Sequence, residues 1–185
     1  MTGIRLGFGY KARSGKDTAA EYLKKQYGGE IFKFAEPIYE IMKAAHKIAG
    51  IESYKDTKLL TWLGTDWGRS IDENIWINSC LKKIRHAEQQ GCYLSCEPFI
   101  DNYYVTDVRF VNEAEALKNK NFYLIKINRT TSFQEERLQH ISENSLNDYS
   151  KWDFEIDNNK DLESFYQQLQ EIVQHIKTIN KNKNK

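Results

Sequence analysis

The stretch YKARSGKDTAAEYL, residues 10–23, constrains the fold of this chain more than any other. An apolar segment at 3–9 precedes it and predicts a β-strand, while the run that begins at Lys16 is rich in helix formers. Two cations, Lys11 and Arg13, therefore stand where a helix begins, although the helix dipole already makes that end positive. Such crowding of positive charge is favourable when a polyanion binds there.

A strand, a tight turn and a helix start together predict a phosphate-binding loop. Gly15 lets the backbone approach a phosphate, Lys16 reaches the terminal phosphates, and the helix start adds its dipole. Two positions depart from the general pattern. Tyr10 stands five residues before Gly15, where glycine is usual, and Asp17 takes the place of the hydroxyl residue that holds magnesium, with Thr18 next. The motif alone leaves open a basic turn before a surface helix.

The rest of the chain alternates strand and helix patterns. Further strands are predicted at 30–34, 103–108, 122–128 and 152–156, and helices at 16–27, 36–50, 55–68, 73–90, 112–120 and 160–178. Residues 91–102 interrupt the pattern as a hairpin or loop. The alternation predicts an α/β class with a mostly parallel sheet covered on both faces. We expect a single domain at 1–178, with a polar lid at about 129–150 and a disordered tail at 179–185.

The composition argues against several classes of function. The formal net charge is +1, so the chain lacks the bulk positive field of a non-specific nucleic-acid binder. The cysteines number three and no signal-type leader is evident, which favours a reducing, cytoplasmic compartment. Cys92 and Cys96 have no second Cys/His pair near them, so zinc is not favoured over three small apolar side chains. No apolar run is long enough to suggest a membrane helix.

Five ordered blocks resemble the deoxynucleoside monophosphate kinases encoded by tailed phages, which are P-loop kinases of the nucleoside monophosphate kinase type. The blocks are SGKDTAA, FAEPIYEI, LLTWLGTDWGR, VTDVRFVNEAEAL and HISENSL. The similarity runs from about residue 4 to about 172. Asp17 fits this family, whereas Tyr10 does not, and residues 92–101 look like an insertion. The resemblance implies a three-layer P-loop kinase fold and transfer of the γ-phosphate of ATP, with Mg²⁺, to a deoxynucleoside 5′-monophosphate for DNA precursor synthesis.

The resemblance also implies which residues bind ATP and magnesium. The ATP-binding residues would be Lys11, Arg13, Ser14, Gly15, Lys16, Asp17, Thr18 and Asn158. The metal would be held by Asp17, Thr18 or Asp107. Other interpretations stay open: Asp17 and Thr18 as helix caps, Asp107 as a structural partner of Arg109, and Asn158 as part of an ordinary turn.

Arg69 is the expected clamp for the acceptor phosphate, because a guanidinium can hold a phosphate bidentately. Other residues implied to bind the acceptor are Phe34, Trp67, Arg109, His140, Ser142 and Glu143. Arg129 and Arg137, in the lid, would stabilise charge during transfer, so that Lys16, Arg69, Arg129 and Arg137 form the expected catalytic set. Packing is the alternative for Phe34 and Trp67, and a charged surface loop is the alternative for the two lid arginines.

Two other functions stay open at this point. The chain could phosphorylate another small acceptor, as phosphomevalonate or dephospho-coenzyme A kinases do, or it could be a nucleotide-binding module without turnover. The only feature of the sequence that favours the module without turnover is Tyr10, which replaces the usual glycine of the loop. The expected partners are ATP and a deoxynucleoside monophosphate, with no nucleic acid polymer and no membrane. A homodimer is compatible with the resemblance, and the host-cell cytoplasm is the expected location if the chain is phage-encoded.

Overall fold

Five parallel strands form one sheet in this computed structural model, which describes residues 3–94, 102–130 and 144–183. The strands are β1 (Arg5–Gly9), β2 (Glu30–Phe32), β3 (Tyr103–Val108), β4 (Tyr123–Asn128) and β5 (Phe154–Asp157). Their order is β2-β3-β1-β4-β5, and each neighbouring pair is parallel. The predicted strands are therefore confirmed, and β1 is the middle strand.

The helices of the described residues connect these strands. They are α1 (Lys16–Tyr27), α2 (Glu36–Ile48), α3 (Thr57–Thr61), α4 (Gly68–Ile71), α5 (Ile75–Leu94), α6 (Val111–Lys118) and α7 (Leu162–Lys183), with a π-helical stretch at Trp62–Trp67 between α3 and α4. None of them is both long and apolar enough to cross a membrane. The helix expected over 55–68 is thus three shorter pieces, the first of which is capped by Asp56 accepting a hydrogen bond of 3.0 Å from the Leu59 N–H.

Two apolar cores lie on opposite faces of the sheet. One packs the sheet against α1 and α7, and its fully buried members include Leu6, Leu23 and Leu169. The other packs the sheet against α2, α5 and α6 and includes Val105 and Leu117. Neighbouring residues of β3 enter different cores, as the two-residue period of a strand requires. The predicted α/β class, with helices on both faces of a parallel sheet, is confirmed.

Two predicted boundaries need correction. The last helix continues to Lys183, so the part of the expected tail that the structure describes is helical rather than disordered. The Tyr123 hydroxyl donates to Asn180 at 3.4 Å, and Lys177 lies over the Tyr27 ring, which ties the helix end to the domain. Adding residues to the end of an existing helix avoids the cost of nucleation. The polar residues after 178 can therefore continue the helix. The helix α5 likewise passes the expected break at 91 and ends at Leu94.

Asn102 joins three segments at the amino edge of the sheet. Its side-chain oxygen accepts from the Ile4 N–H at 2.7 Å, its amide donates to the Tyr27 carbonyl at 2.8 Å, and its own carbonyl accepts from Glu30 at 2.9 Å. The side chain is almost fully buried. These bonds align the starts of β1, β2 and β3, so the carboxyl ends of the same strands are also brought side by side. Ligands of open α/β sheets bind at that carboxyl edge.

Candidate active site

The loop between β1 and α1 has the backbone of a phosphate-binding turn. Gly15 precedes the helix with φ of 106°. Tyr10 and Arg13 also have positive φ, at 90° and 57°, which is uncommon for residues that carry a Cβ. Tyr10 therefore adopts the conformation for which glycine is usual at its position. The departure from the general motif changes the side chain and adds strain, while the turn itself is preserved.

Lys16 lies within this turn rather than in solvent. Its side chain is 7 % exposed overall, and its ammonium donates to the carbonyl of Lys11 and, at 3.4 Å each, to the carbonyl of Tyr10 and the hydroxyl of Ser14. Ser14 is buried as well. The alternative of an exposed helix lysine is therefore excluded. The ammonium lies where the loop carbonyls and the start of α1 meet, which is the region that backbone N–H groups surround in phosphate-binding loops.

Asn158, which directly follows the edge strand β5, supports the loop. Its side-chain amide donates to the Ser14 carbonyl at 2.8 Å. A Cβ on Gly15 would lie 2.5 Å from the same amide nitrogen, so only glycine fits at 15 without a shift of Asn158. At the other end of the loop, a Cβ on Gly9 would meet the Trp152 ring at 2.5 Å. Asn158, which follows β5, and Trp152, which precedes it, thus pack on the two ends of the turn.

Asp17 and Lys33 form an ion pair at the carboxyl edge. The Lys33 ammonium lies 2.7 Å from Asp17 Oδ1, which also accepts the Thr106 hydroxyl at 2.8 Å. Burial disfavours the charged form of Asp17, but the bonds from Lys33 and Thr106 outweigh it and hold the pKa of the carboxyl below its ordinary value. Asp17 is therefore an anion at neutral pH. Sequence reasoning missed Lys33, and its position directly after a parallel strand is the signal that could have found it.

Asp107 holds the turn that follows β2. Its two carboxylate oxygens accept the backbone N–H groups of Phe34 and Ala35 at 2.9 and 2.8 Å. Burial raises the pKa of Asp107, against the lowering effect of those two bonds. Phe34 itself is 2 % exposed and packs in a core, which supports the packing alternative over stacking on a nucleotide.

Arg69 is held by the protein on several sides. Its Nη2 lies 2.6 Å from Glu113 Oε1, its Nη1 donates to the Glu73 carbonyl at 3.0 Å, and its guanidinium stacks 3.8 Å from the centre of the Phe110 ring. Its Nε is buried and has no hydrogen-bond partner among the residues that the structure describes. Because both terminal nitrogens are already engaged, the bidentate phosphate grip expected of Arg69 requires a rearrangement of these contacts.

Glu113 is the centre of this cluster and was not assigned a role from the sequence. It is 3 % exposed, and besides Arg69 it accepts the backbone N–H groups of Arg109 and Phe110 at 2.8 and 3.0 Å. Glu113 thereby caps the start of α6. Burial raises the pKa of Glu113 to about 7, although the donors favour its charged form. Glu113 stands three residues after the N-cap residue Phe110, the spacing of the glutamate in a capping box, and that spacing is the signal that could have found it.

Trp67 lies at the surface between two other tryptophans. It is 37 % exposed and its ring is 6.4 Å from both Trp62 and Trp76, the last of which is buried. Trp76 donates from its indole nitrogen to the Gly64 carbonyl at 3.0 Å. This arrangement anchors the π-helical stretch and leaves one face of Trp67 in solvent, so packing and ligand contact are both compatible with its position.

The remaining predicted residues are placed as follows. Lys11 donates to Asn147 at 2.7 Å, which links the phosphate loop to the segment after 143. Arg13, Thr18 and Arg129 are exposed, and Arg109 is half-buried. Four predicted residues lie outside the described residues: Arg137, His140, Ser142 and Glu143.

The oxygen donors of the loop fit magnesium. Within the described ranges, no group of three or more His, Cys, Asp and Glu side chains is arranged to hold a metal. Magnesium needs no such cage in phosphoryl-transfer sites, because one or two protein oxygens, substrate phosphates and waters complete its shell. The ionised Asp17 carboxylate and the exposed Thr18 hydroxyl are hard oxygen donors at the right end of α1.

Comparison with solved structures shows the fold. Shikimate kinase from Aquifex aeolicus matches with a TM-score of 0.53 over 94 % of this chain and 96 % of its own, at 12 % identity. A sugar kinase from Janibacter sp. HTCC2649 matches with a TM-score of 0.52 over 90 % and 92 %, also at 12 % identity. At such identities the likeness shows the fold alone, which is the arrangement of strands and helices that this chain shares with these two kinases.

Sequence comparison identifies the family. A presumed deoxynucleotide monophosphate kinase of Acanthamoeba polyphaga mimivirus is 29 % identical over 90 % of this chain and 94 % of its own length. The uncharacterized protein ORF77 of Ictalurid herpesvirus 1 is 30 % identical over 80 % of this chain and 60 % of its own. The family model for deoxynucleotide monophosphate kinase matches residues 8–87 and 52–169. This chain therefore belongs to the deoxynucleotide monophosphate kinase family.

Proposed function

We propose that this chain binds MgATP in the turn between β1 and α1 and passes the γ-phosphoryl group to a deoxynucleoside 5′-monophosphate held on the β2 and β3 side of the crevice. As a member of its family the chain is a phosphotransferase, with ATP as co-substrate and a deoxynucleotide as acceptor. The observation that carries the site assignment is the buried Lys16 inside a turn with the backbone of a phosphate-binding loop.

Lys16 and the start of α1 supply the positive charge for transfer. The amides of the turn bind the β-phosphate, and the Lys16 ammonium exchanges its carbonyl partners for phosphate oxygens. No general base is needed, because the attacking oxygen of a nucleoside monophosphate is already ionised. Catalysis then consists of positioning the two nucleotides and neutralising the charge that develops on the transferred group.

Asp17 and Thr18 would hold magnesium, which neutralises the β- and γ-phosphates when bound. The ionised carboxylate of Asp17 supports this assignment. Asp107 supports the site indirectly, because it fixes the turn between β2 and α2 through two backbone hydrogen bonds. That turn borders the place assigned to the acceptor.

Arg69 is the proposed partner of the acceptor phosphate. A dianionic monophosphate competes with Glu113 for the guanidinium, and stacking on Phe110 keeps the guanidinium plane in place during the exchange. Trp67, two residues before Arg69 in the chain, is partly exposed and is the proposed second contact of the acceptor. A homodimer, the cytoplasmic location and the roles of Arg129, Arg137, His140, Ser142 and Glu143 stay predictions.

A turnover assay tests the function. Purified protein, ATP and Mg²⁺ are incubated with each of the four deoxynucleoside monophosphates, and diphosphate is measured by ion-exchange chromatography. We expect at least one to be phosphorylated, and Lys16→Met to lower kcat at least about 100-fold, since a charge donor to the transition state is lost. Lys24→Met, an exposed lysine of the same helix, is the matched control. A folded protein that leaves all four unchanged contradicts the proposal.

The other acceptor classes are not favoured by the family match, which names a deoxynucleotide. A thermal-shift competition separates them experimentally, because a ligand stabilises only the state to which it binds. Deoxynucleoside monophosphates should raise the melting temperature in the presence of ADP, and phosphomevalonate and dephospho-coenzyme A should not. A non-catalytic module would bind nucleotide equally well and turn over none of the acceptors.

A further inference from the structure

Lys33 brings an additional positive charge to the carboxyl edge of the sheet. It follows β2 directly, and its ammonium contacts the carboxylate of Asp17 at 2.7 Å across the entrance to the phosphate-binding turn. Its side chain is 45 % exposed, so it is neither locked in a core nor remote from the crevice. The three residues of this contact, Lys33, Asp17 and Thr106, come from the ends of β2 and β3 and the first turn of α1.

The charge around Lys33 is mostly negative. Asp17 and Asp107 both act on it, together with the Tyr39 phenol, and they outweigh the effect of partial burial and raise the pKa of Lys33. A lysine ammonium is charged at neutral pH already at its ordinary pKa. A lysine ammonium is a point charge with three donors on a flexible stem, so it can change partners without moving the backbone.

We propose that Lys33 is a mobile cation of the catalytic site, which neutralises Asp17 in the free protein and moves onto the transferred phosphoryl group when Asp17 ligates magnesium. This inference rests on the proposed function and on the assignment of magnesium to Asp17. Two cations that share one carboxylate oxygen repel each other, and the phosphate oxygens offer Lys33 a second anion close by. An ion pair between partly exposed side chains is weak, so the exchange costs little.

The inference predicts that Lys33 and magnesium compete. Lys33→Met keeps most of the stem and removes the charge, so Asp17 loses its cation and keeps the hydrogen bond from Thr106. The Mg²⁺ concentration for half-maximal binding of ADP, measured by isothermal titration calorimetry, should fall by about two- to fivefold, which is the worth of an exposed ion pair. In the turnover assay kcat should fall by about 100-fold, because a charge that acts in the transition state is lost.

Two further variants make the test specific. Lys33→Arg keeps the charge and should restore the wild-type Mg²⁺ dependence and part of kcat. Lys24→Met should match the wild type in both measurements. A structural role for Lys33 would lower the melting temperature of Lys33→Met with neither the Mg²⁺ midpoint nor kcat changed, and that result overturns the proposal. If the Mg²⁺ midpoint shifts and kcat stays unchanged, Lys33 does not act on the transferred phosphoryl group, and that part of the proposal is overturned.

Failure of the proposed function gives a different result. The Mg²⁺ titration uses ADP and needs no acceptor, so it reports on Lys33 even if no deoxynucleotide is phosphorylated. If the wild-type chain binds ADP and Mg²⁺ without any turnover, the acceptor assignment is wrong and an unchanged Mg²⁺ midpoint in Lys33→Met still overturns the competition. If the wild-type chain binds no ADP, both proposals fall together.

Discussion

Gly15→Ala tests the architecture of the phosphate-binding turn through two separable effects. The first is backbone strain, because Gly15 has φ of 106°, a conformation that costs an L-residue about 1–2 kcal/mol. The second is contact, because the new Cβ would lie 2.5 Å from the Asn158 side-chain nitrogen. Asn158 must then move and lose its hydrogen bond to the Ser14 carbonyl, at a cost of about 1 kcal/mol. We expect a total loss of about 2–3 kcal/mol.

Gly50→Ala is the matched control for strain. Gly50 has φ of 67°, and no atom of the described part of the chain lies within 4 Å of its ideal Cβ, so this change measures the backbone cost alone. It should lower the free energy of unfolding by about 1–2 kcal/mol. The difference between the two glycine variants is then the contact with Asn158.

Asn158→Ala completes a double-mutant cycle, measured by urea denaturation. Once Asn158 is shortened, Gly15→Ala meets no amide, and its cost should fall to that of Gly50→Ala. We expect a coupling free energy of about 1 kcal/mol between positions 15 and 158. Strictly additive effects would refute the packing of the β5–α7 segment on the phosphate-binding turn.

Three further predictions concern buried polar groups. Glu113 has a pKa of about 7 against an ordinary 4.5, so its contribution to stability is fully present below pH 4.5 and lost as pH rises through 7. The stability of the wild type relative to Glu113→Gln should therefore fall by about 3 kcal/mol between pH 4 and pH 8, and parallel urea-denaturation curves would contradict this. Arg69→Met leaves the Glu113 carboxylate without its cation and should lower the free energy of unfolding by about 3 kcal/mol at pH 8. The loss should be smaller at pH 5, where Glu113 is protonated. A loss that does not depend on pH would argue against the ion pair. Asn102→Ala strands the Ile4 N–H and the Tyr27 carbonyl and should cost about 2–4 kcal/mol by thermal melting, whereas a loss below 1 kcal/mol would show that those groups find other partners.

Local signals made most of the fold predictable. The helix α1 begins and ends where its sequence pattern does, because a phosphate-loop motif precedes it and glycines follow it. The strand β3 is likewise predicted residue for residue, since its apolar run is bounded on both sides. The π-helical stretch at Trp62–Trp67 was not predicted, because its periodicity differs from that of an α-helix over a single turn only.

Contacts between distant residues were not predictable from the same signals. Asp17 and Lys33 belong to different elements, and so do Arg69 and Glu113, whose sequence separation is 44. The sequence shows that each of these four side chains is charged. Which of them form ion pairs depends on the order of the strands in the sheet. The order β2-β3-β1 brings the end of β2 towards α1, and this is where Lys33 reaches Asp17. The phosphate-loop residues Ser14, Gly15 and Lys16 lie together as expected because they are adjacent in sequence.

The turn around Gly15 and Lys16 is proposed to bind the phosphates of ATP. Titration of isotopically labelled protein with a non-hydrolysable ATP analogue and Mg²⁺, followed by amide resonances, tests it residue by residue. We expect the largest saturable shifts to belong to the amides of 13–17. Saturable binding that leaves those amides unperturbed and shifts resonances elsewhere would contradict it.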